Sequence, residues 1–227
     1  DYTVDYDVVY SSRGVIKNQY INENVGPGYY KFDIWKEATD ILAPYIEEDM
    51  MIYGEICGWA EQTQIQKGYD YGCKQGEFFV MPYRITTKKK DGSDTKYEWN
   101  VDEVRQWTEN LVKEHPELAE KVHPITIFYH GTLADLYPNV KVSEHWHENV
   151  LQEMMNDKEH FGMEELEPMC QNKVPREGIV VRIDDDPFAE AFKLKCTAFR
   201  EREAKSIDKG EVDIEMQDAY RNNGEES

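Results

Sequence analysis

The stretch Glu-Gly-Ile-Val-Val-Arg-Ile at residues 177–183, followed by Phe-Lys-Leu-Lys-Cys at residues 192–196, decides how this chain folds. The first stretch is an apolar run that begins at a Glu-Gly step, and the second alternates apolar and other residues. Both patterns predict β-strands. Because side chains alternate along a strand, Lys193 and Lys195 are expected on one face and the apolar residues on the other.

This lysine pair indicates an anion site. Two ammonium groups at neighbouring positions of one strand face repel each other by some tenths to about 1 kcal/mol unless an anion lies between them. The chain has 46 acidic and 26 basic residues and a formal net charge of −20. A phosphate is therefore a candidate ligand of Lys193 and Lys195, and the alternative is a solvated face neutralised by neighbouring glutamates.

Two glutamates beside glycines are further candidates. In Ile-Tyr-Gly-Glu-Ile-Cys-Gly at residues 52–58, Glu55 lies between two glycines, which often mark the close approach of a ligand to a strand. Glu177 precedes a buried strand, where its carboxylate oxygens suit a hard cation such as Mg²⁺. Taken alone, each is equally an exposed residue of a strand.

The rest of the chain mixes strand-like and helical segments. The predicted strands are 7–10, 51–58, 77–87, 95–99, 125–129, 178–183 and 191–196. Helices are predicted over 101–121 with Asn100 as the cap, over 143–157 and over 36–46. An Asp-Gly pair at 91–92 predicts a hairpin turn, and the polar segment 206–227 is predicted to be a tail or linker.

The composition excludes several classes of protein. The chain has 227 residues, of which 40% are hydrophobic and 12% aromatic, too many for a disordered chain. It has no apolar run near the ~20 residues that cross a bilayer, and its opening, Asp-Tyr-Thr-Val-Asp-Tyr-Asp, is not the basic and then apolar pattern expected of a signal peptide. Four cysteines without a CxxC pair predict a reduced, cytoplasmic location. The acidic balance disfavours a nucleic-acid coat protein and leaves open an enzyme with a local basic site.

Two other motifs contain candidate ligands. Ser-Ser-Arg-Gly at residues 11–14 contains Arg13, whose guanidinium could fork onto a phosphate. His145 and His147, with His160, suggest zinc, but positions two apart point to different sides of a helix.

In this order, the segments resemble the covalent nucleotidyltransferases, and most closely the phage-type ATP-dependent RNA ligases that seal nicks in duplex RNA. The similarity runs from about residue 8 to residue 205. The matching segments are 11–14, 52–58, 65–68 with 71–72, 78–81, 124–131, 177–182, 193–195 and 199–205. Each match alone is weak, whereas their common order and spacing is specific.

The resemblance implies an α+β fold, a nucleotidyltransferase (ATP-grasp-like) domain over residues 1–205 with two antiparallel sheets, flanking helices and the adenylate in the cleft between the sheets. It implies that a lysine takes AMP from ATP and releases pyrophosphate, that AMP moves to a 5′-phosphate RNA end, and that a 3′-hydroxyl displaces it. The implied cofactors are ATP and Mg²⁺ (or Mn²⁺). The implied partner is RNA with 5′-phosphate and 3′-hydroxyl ends, in RNA repair, in the host cytoplasm if the protein is phage-encoded.

The resemblance also implies roles for residues that contact phosphate and metal. Arg13 would contact the nucleotide phosphate or the RNA 5′-phosphate. Glu177 would hold the divalent metal, and Arg182 would support the phosphate pocket. Lys193 and Lys195 would grip the α-phosphate, where charge increases in the transition state.

The nucleoside contacts are implied in the same way. Glu55 would accept a hydrogen bond from a ribose hydroxyl. The family usually has an aromatic residue followed by Asp at the base-stacking position, where this chain has Met81 and Pro82. Phe79 is expected to serve instead, or the Met81 thioether to pack on the base.

The nucleophile is the main departure from the family. It is a lysine in a Lys-x-Asp-Gly or Lys-x-x-Gly motif before the Ser-x-Arg segment, but residues 1–10 contain no lysine. Residues 89–92, Lys-Lys-Asp-Gly, match by letters but fall in a predicted turn. A lysine in a solvated turn is a poor nucleophile, because nothing there favours the neutral amine. We therefore expect the nucleophile upstream of Asp1.

Three alternatives stay open. A DNA ligase or a capping guanylyltransferase shares the same motif order, although Phe-Arg-Glu at residues 199–201 favours the RNA branch. A nucleotide-binding module without catalysis fits if the upstream lysine is truly absent.

Overall fold

The computed structural model describes residues 8–12, 15–17, 30, 32–89, 93, 95–140, 146–162, 165–184 and 191–208. Within these ranges the strands are β1 Met51–Ala60, β2 Thr63–Gln64, β3 Phe78–Lys88, β4 Lys96–Glu98, β5 Gly178–Val181 and β6 Phe192–Lys195. The α-helices there are α1 Ile34–Leu42, α2 Val101–Glu114, α3 Leu133–Leu136, α4 Trp146–Asn156 and α5 Thr197–Asp208.

The described strands form two antiparallel sheets. The larger sheet has the order β2-β1-β3-β4, and the smaller sheet pairs β5 with β6. The predicted α+β fold with two antiparallel sheets and flanking helices is therefore confirmed. The hairpin between β3 and β4 is confirmed by the pairing of Thr86 with Glu98, while its predicted turn at 91–92 lies outside the described residues.

The central ladder of the larger sheet joins β1 to β3. Glu55 is opposite Met81, and Cys57 is opposite Phe79. Directly opposed residues of an antiparallel pair share one face, so these four side chains lie on the same side of the sheet. Glu55 and Cys57 are two residues apart in β1, so strand alternation gives them this common face.

The other face of the larger sheet packs against α1 and α2. Ile52 and Ile56 from β1 and Val80 from β3 contact Leu42 of α1 and Leu111 of α2 in one apolar cluster. This burial leaves the opposite face, with Glu55 and Met81, directed away from the helices.

Helix α2 begins as predicted and ends earlier. The Glu103 N–H donates to Asn100 Oδ1 at 2.9 Å, and the Asn100 N–H donates to Glu103 Oε2 at 2.8 Å, which completes a capping box. The prediction that the helix continues to residue 121 is wrong, because Pro116 disfavours helical geometry at the residue before it and starts a separate 3₁₀ turn, Pro116–Leu118.

The smaller sheet covers a second core. Ile179 of β5 is opposite Leu194 of β6, and both are buried with Val150 and Met154 of α4 and with Phe161. The inward position of Leu194 confirms the predicted alternation of residues 192–196.

Two predicted strands are wrong within the described residues. Residues 125–129 form no strand, because the chain meets the edge of β3 only at the bridge of Val122 with Val80, and Pro124 has no N–H to continue the ladder. Residues 8–10 form no strand either, and the nearest pairing is an isolated bridge between Ser11 and Ile16.

Other helix boundaries also differ from the predictions. Helix α1 is capped by Asp33 and ends at Leu42, before a 3₁₀ turn over Ala43–Tyr45. Helix α5 extends into the segment predicted to be a tail, and its few apolar residues provide little helical periodicity to predict it. No described helix combines the length and apolar composition that crossing a bilayer requires.

Candidate functional site

A cleft of about 450 Å³ lies between the two sheets and is lined by residues of both. Four residues predicted from the sequence line it: Glu55 from β1, Met81 from β3, Glu177 next to β5, and Lys193 from β6. The fold thus brings three distant motifs and the β3 segment to one place.

The wall from the larger sheet is organised by Gln66, in the loop after β2. Its Nε2 donates to Glu55 Oε1 at 3.2 Å and to the Ile56 carbonyl at 2.7 Å. Gln66 Oε1 is buried and has no hydrogen-bond partner among the described residues. A buried acceptor without a partner costs about 1–3 kcal/mol, so a donor on a ligand would be favoured here. Gln66 belongs to the family-like segment 65–68, but its residue type and spacing alone do not indicate a role in the site.

The wall from the smaller sheet depends on Gly178. Its φ is 151°, and a Cβ there would lie 1.8 Å from the Leu194 carbonyl oxygen. Only glycine permits this close approach of β5 to β6. The approach places Glu177 Oε1 2.6 Å from Lys193 Nζ. Beside them, Val180 is 59% exposed although it lines the cleft.

Lys195 points towards α5 and does not line the cleft. Its Nζ is 2.6 Å from Glu203 Oε1 and 5.3 Å from the centre of the Phe199 ring. Glu203 and Phe199 do line the cleft, so Lys195 lies directly behind them. Neither residue was assigned to the site from the sequence.

The charges of the two lysines are compensated within the protein. Lys193 faces Glu177, and Lys195 faces Glu203, each at 2.6 Å. The repulsion between the two ammonium groups, from which a bound anion was inferred, is therefore offset by these carboxylates. What supports a phosphate contact at Lys193 is its position in the cleft, and a phosphate there would compete with Glu177 for the ammonium group.

Phe79 is buried beneath Tyr71. Its side chain is 4% exposed, and its ring centre lies 5.7 Å from that of Tyr71, edge to face, and 4.4 Å from that of His123. Tyr71 lines the cleft, as Met81 does, whereas Phe79 does not. Of the two residues predicted to contact a base, Met81 is thus the one that reaches the cleft.

Arg182 lies at the junction of the two sheets and does not line the cleft. Its guanidinium pairs with the Glu98 carboxylate and donates to the Tyr83 carbonyl at 3.2 Å. Arg84 also forks onto Glu98, with N–O distances of 2.8 and 2.9 Å. Because Glu98 is only 2% exposed, this pairing anchors the end of β5 to the larger sheet.

Several predicted candidates lie outside the described residues, namely Arg13, His145 and residues 90–92. His160 Nδ1 lies 2.9 Å from Asp157 Oδ2, just after α4. In the part of the chain that the structure describes, no three His, Cys, Asp or Glu side chains are grouped to hold a metal ion.

Cys57 lines the cleft but is not suited to be a nucleophile. Burial, with a smaller effect of the Glu55 charge, raises the pKa of its thiol. Burial likewise raises the pKa of the neighbouring Tyr71 phenol. Both groups stay neutral near pH 7, and the thiolate is the reactive form of cysteine. The cleft therefore does not support covalent catalysis by Cys57.

A protein-family model described as RNA ligase matches residues 7–197 of the chain. The match spans every segment that lines the cleft up to β6. Neither the curated proteins nor the solved structures yielded a match.

Proposed function

The chain belongs to the RNA ligase family, and we propose that it is an ATP-dependent RNA ligase of the nick-sealing branch. In this proposal a lysine of the protein becomes adenylated, AMP is transferred to a 5′-phosphate RNA end, and a 3′-hydroxyl end displaces it. The observation that carries the proposal is the shared cleft of Glu55, Met81, Glu177 and Lys193. One apolar region with a few convergent charged groups is what a nucleotide requires.

The proposed base site lies between Met81 and Val180. The two side chains come from different sheets and line the same cleft. An exposed valine in a cleft is covered when a flat apolar ligand binds, and the polarisable thioether of methionine packs well on aromatic rings. Glu55, on the same wall as Met81, would accept a hydrogen bond from the ribose.

The proposed phosphate contacts are Lys193 and Lys195. Lys193 lines the cleft. Lys195 is paired with Glu203, and in this proposal it would reach the cleft by exchanging Glu203 for a phosphate oxygen. An ammonium group stabilises the α-phosphate most in the transition state, when negative charge on the transferred group is redistributed. Arg13 is proposed to contact the nucleotide phosphate or the 5′-phosphate of the RNA.

Glu177 fits a divalent cation such as Mg²⁺ or Mn²⁺. Its carboxylate is 44% exposed and lies in the cleft, and oxygen is the ligand type these ions prefer. The described residues contain no ready three-ligand cluster, so Glu177 would share the ion with nucleotide phosphates and water, as is usual for Mg²⁺. The ion would supply positive charge at the α-phosphate.

The proposal is tested on the protein expressed from its full open reading frame, in which a lysine before the Ser-Ser-Arg segment at residues 11–13 is first verified. Intact mass is measured after incubation with ATP and Mg²⁺, and then after addition of a nicked RNA duplex with a 5′-phosphate. We expect a gain of one AMP, followed by its loss and by sealing of the nick. No AMP gain in a protein with a verified upstream lysine would contradict the proposal, and equal sealing of a DNA nick would favour a DNA ligase.

A further inference from the structure

Arg202 of α5 lines the cleft, and its side chain is held in place by contacts with neighbouring residues. Its Nη2 donates to the Lys67 carbonyl at 2.8 Å, and its guanidinium lies 4.8 Å from the centre of the Tyr69 ring. Lys67 and Tyr69 also line the cleft. The side chain therefore bridges α5 and the loop that follows β2.

Gly68 makes room for this guanidinium. A Cβ at residue 68 would lie 2.2 Å from Arg202 Nη2, and the φ of Gly68 is 79°. The loop is itself held in place, since the Gly68 N–H donates to Gln64 Oε1 at 2.7 Å and Asn172 Nδ2 donates to the Gly68 carbonyl at 3.0 Å. A guanidinium held in this way loses little freedom when it binds a ligand.

Arg202 differs from the two lysines in the groups that surround its positive charge. Lys193 and Lys195 each have a carboxylate at 2.6 Å. In the described ranges, Arg202 has no carboxylate within 4.0 Å, and its partners are a neutral carbonyl and an aromatic ring. A guanidinium carries five N–H donors and can fork onto a phosphate. A cation in the cleft that has no carboxylate in direct contact is available to bind an anion, even though glutamates line the same cleft.

We propose that Arg202 forms a second phosphate subsite, which binds a phosphate group other than the nucleotide α-phosphate. The ligand is an outer phosphate of ATP or the 5′-phosphate of the RNA, and the two share the same chemistry. This inference rests on the proposed function, because it assumes that Lys193 contacts the α-phosphate. Arg202 lies beyond the residues that the family model matches, and the resemblance gives it no role.

The test compares ligands that differ in phosphate groups alone. Calorimetric affinities are measured for AMP, for ATP, and for a short RNA oligonucleotide with either a 5′-phosphate or a 5′-hydroxyl. The variants are Arg202→Gln and Arg202→Lys, with Arg200→Gln as the matched control, an exposed arginine of the same helix outside the cleft lining. We expect Arg202→Gln to reduce the advantage of ATP over AMP, or of the phosphorylated RNA over the hydroxyl form, by about 10- to 100-fold.

AMP affinity should stay within about twofold in Arg202→Gln, and Arg202→Lys should retain part of the advantage because it keeps the charge but loses the fork. Loss confined to ATP assigns the subsite to its outer phosphates, and loss confined to RNA assigns it to the 5′-phosphate. Unchanged advantages for both ligands, or no advantage in the wild-type protein, overturn the inference. Equal weakening of all ligands also overturns it, because a purely structural bridge predicts that result.

These outcomes separate the inference from the proposed function. A wild-type protein that does not bind AMP, but binds phosphorylated RNA through Arg202, would refute the nucleotide site and support the subsite. A protein that binds AMP at the cleft, with Arg202→Gln unchanged throughout, would support the nucleotide site and refute the subsite.

Discussion

Replacing Lys193 with alanine should greatly reduce the rate of AMP transfer while changing the stability of the protein only slightly. The substitution removes the ion pair with Glu177, in which the two side chains are 54% and 44% exposed. An ion pair this exposed to water contributes about 0.2–1 kcal/mol. For a chain of this size that corresponds to a fall in Tm of no more than about 4 °C. Repulsion within the lysine pair alone would suggest a gain in stability, but Glu177 and Glu203 already offset it, so a small loss is expected.

The effect on adenylation should be much larger. In the proposed function, Lys193 contacts the α-phosphate most strongly in the transition state. Loss of one such charge-assisted contact costs about 3–4 kcal/mol, or 10²- to 10³-fold in rate, by analogy with a lost oxyanion-hole donor. Lys195→Ala should reduce the rate to a similar extent, because Lys195 would reach the phosphate once it leaves Glu203.

The assay is single-turnover AMP transfer on the protein from its complete reading frame, together with thermal unfolding. Lys113→Ala, at an exposed position near the end of α2, is the control for loss of one positive charge. Rates within about twofold of the wild type for Lys193→Ala would refute the phosphate contact. If the Tm of Lys193→Ala fell by well over 4 °C, the loss of activity would instead be explained by unfolding of the variant.

Three further substitutions and one substrate comparison follow from the same contacts. Glu177→Ala should abolish AMP transfer and leave the circular dichroism spectrum unchanged, and near-normal transfer would contradict its role as a metal ligand. ATP should be used in preference to GTP in label transfer from the α-phosphate, and comparable rates would favour a capping enzyme. Glu98→Gln should lower the free energy of unfolding in urea by about 3 kcal/mol, because it removes the buried charge that Arg84 and Arg182 share. Gly178→Ala should destabilise the protein by more than about 2 kcal/mol in the same assay, since its Cβ would clash with backbone atoms, and an unchanged value would contradict the close approach of β5 to β6.

The sequence predicted well those features of the fold that depend only on residues close together in the chain. Asn100 caps α2 because its side chain needs only the N–H three residues further along the chain. The inward position of Leu194 and the outward position of Lys193 follow from strand alternation. Residues 125–129 show the limit of such reasoning, because a strand also requires a partner edge, and Pro124 prevents the chain from following the edge of β3.

The sequence by itself determined the α+β class, the order of the family motifs, and four residues of the cleft: Glu55, Met81, Glu177 and Lys193. The tertiary structure alone decided which side chains lie beside them. It placed Tyr71 over Phe79, paired Lys195 with Glu203, and seated Arg202 against Gly68. The physical reason is the distance along the chain over which each effect acts. Strand alternation and helix capping act over a few residues, whereas these contacts join residues 8 to 135 positions apart. Two of them also depend on α5, a helix that the apolar pattern does not predict.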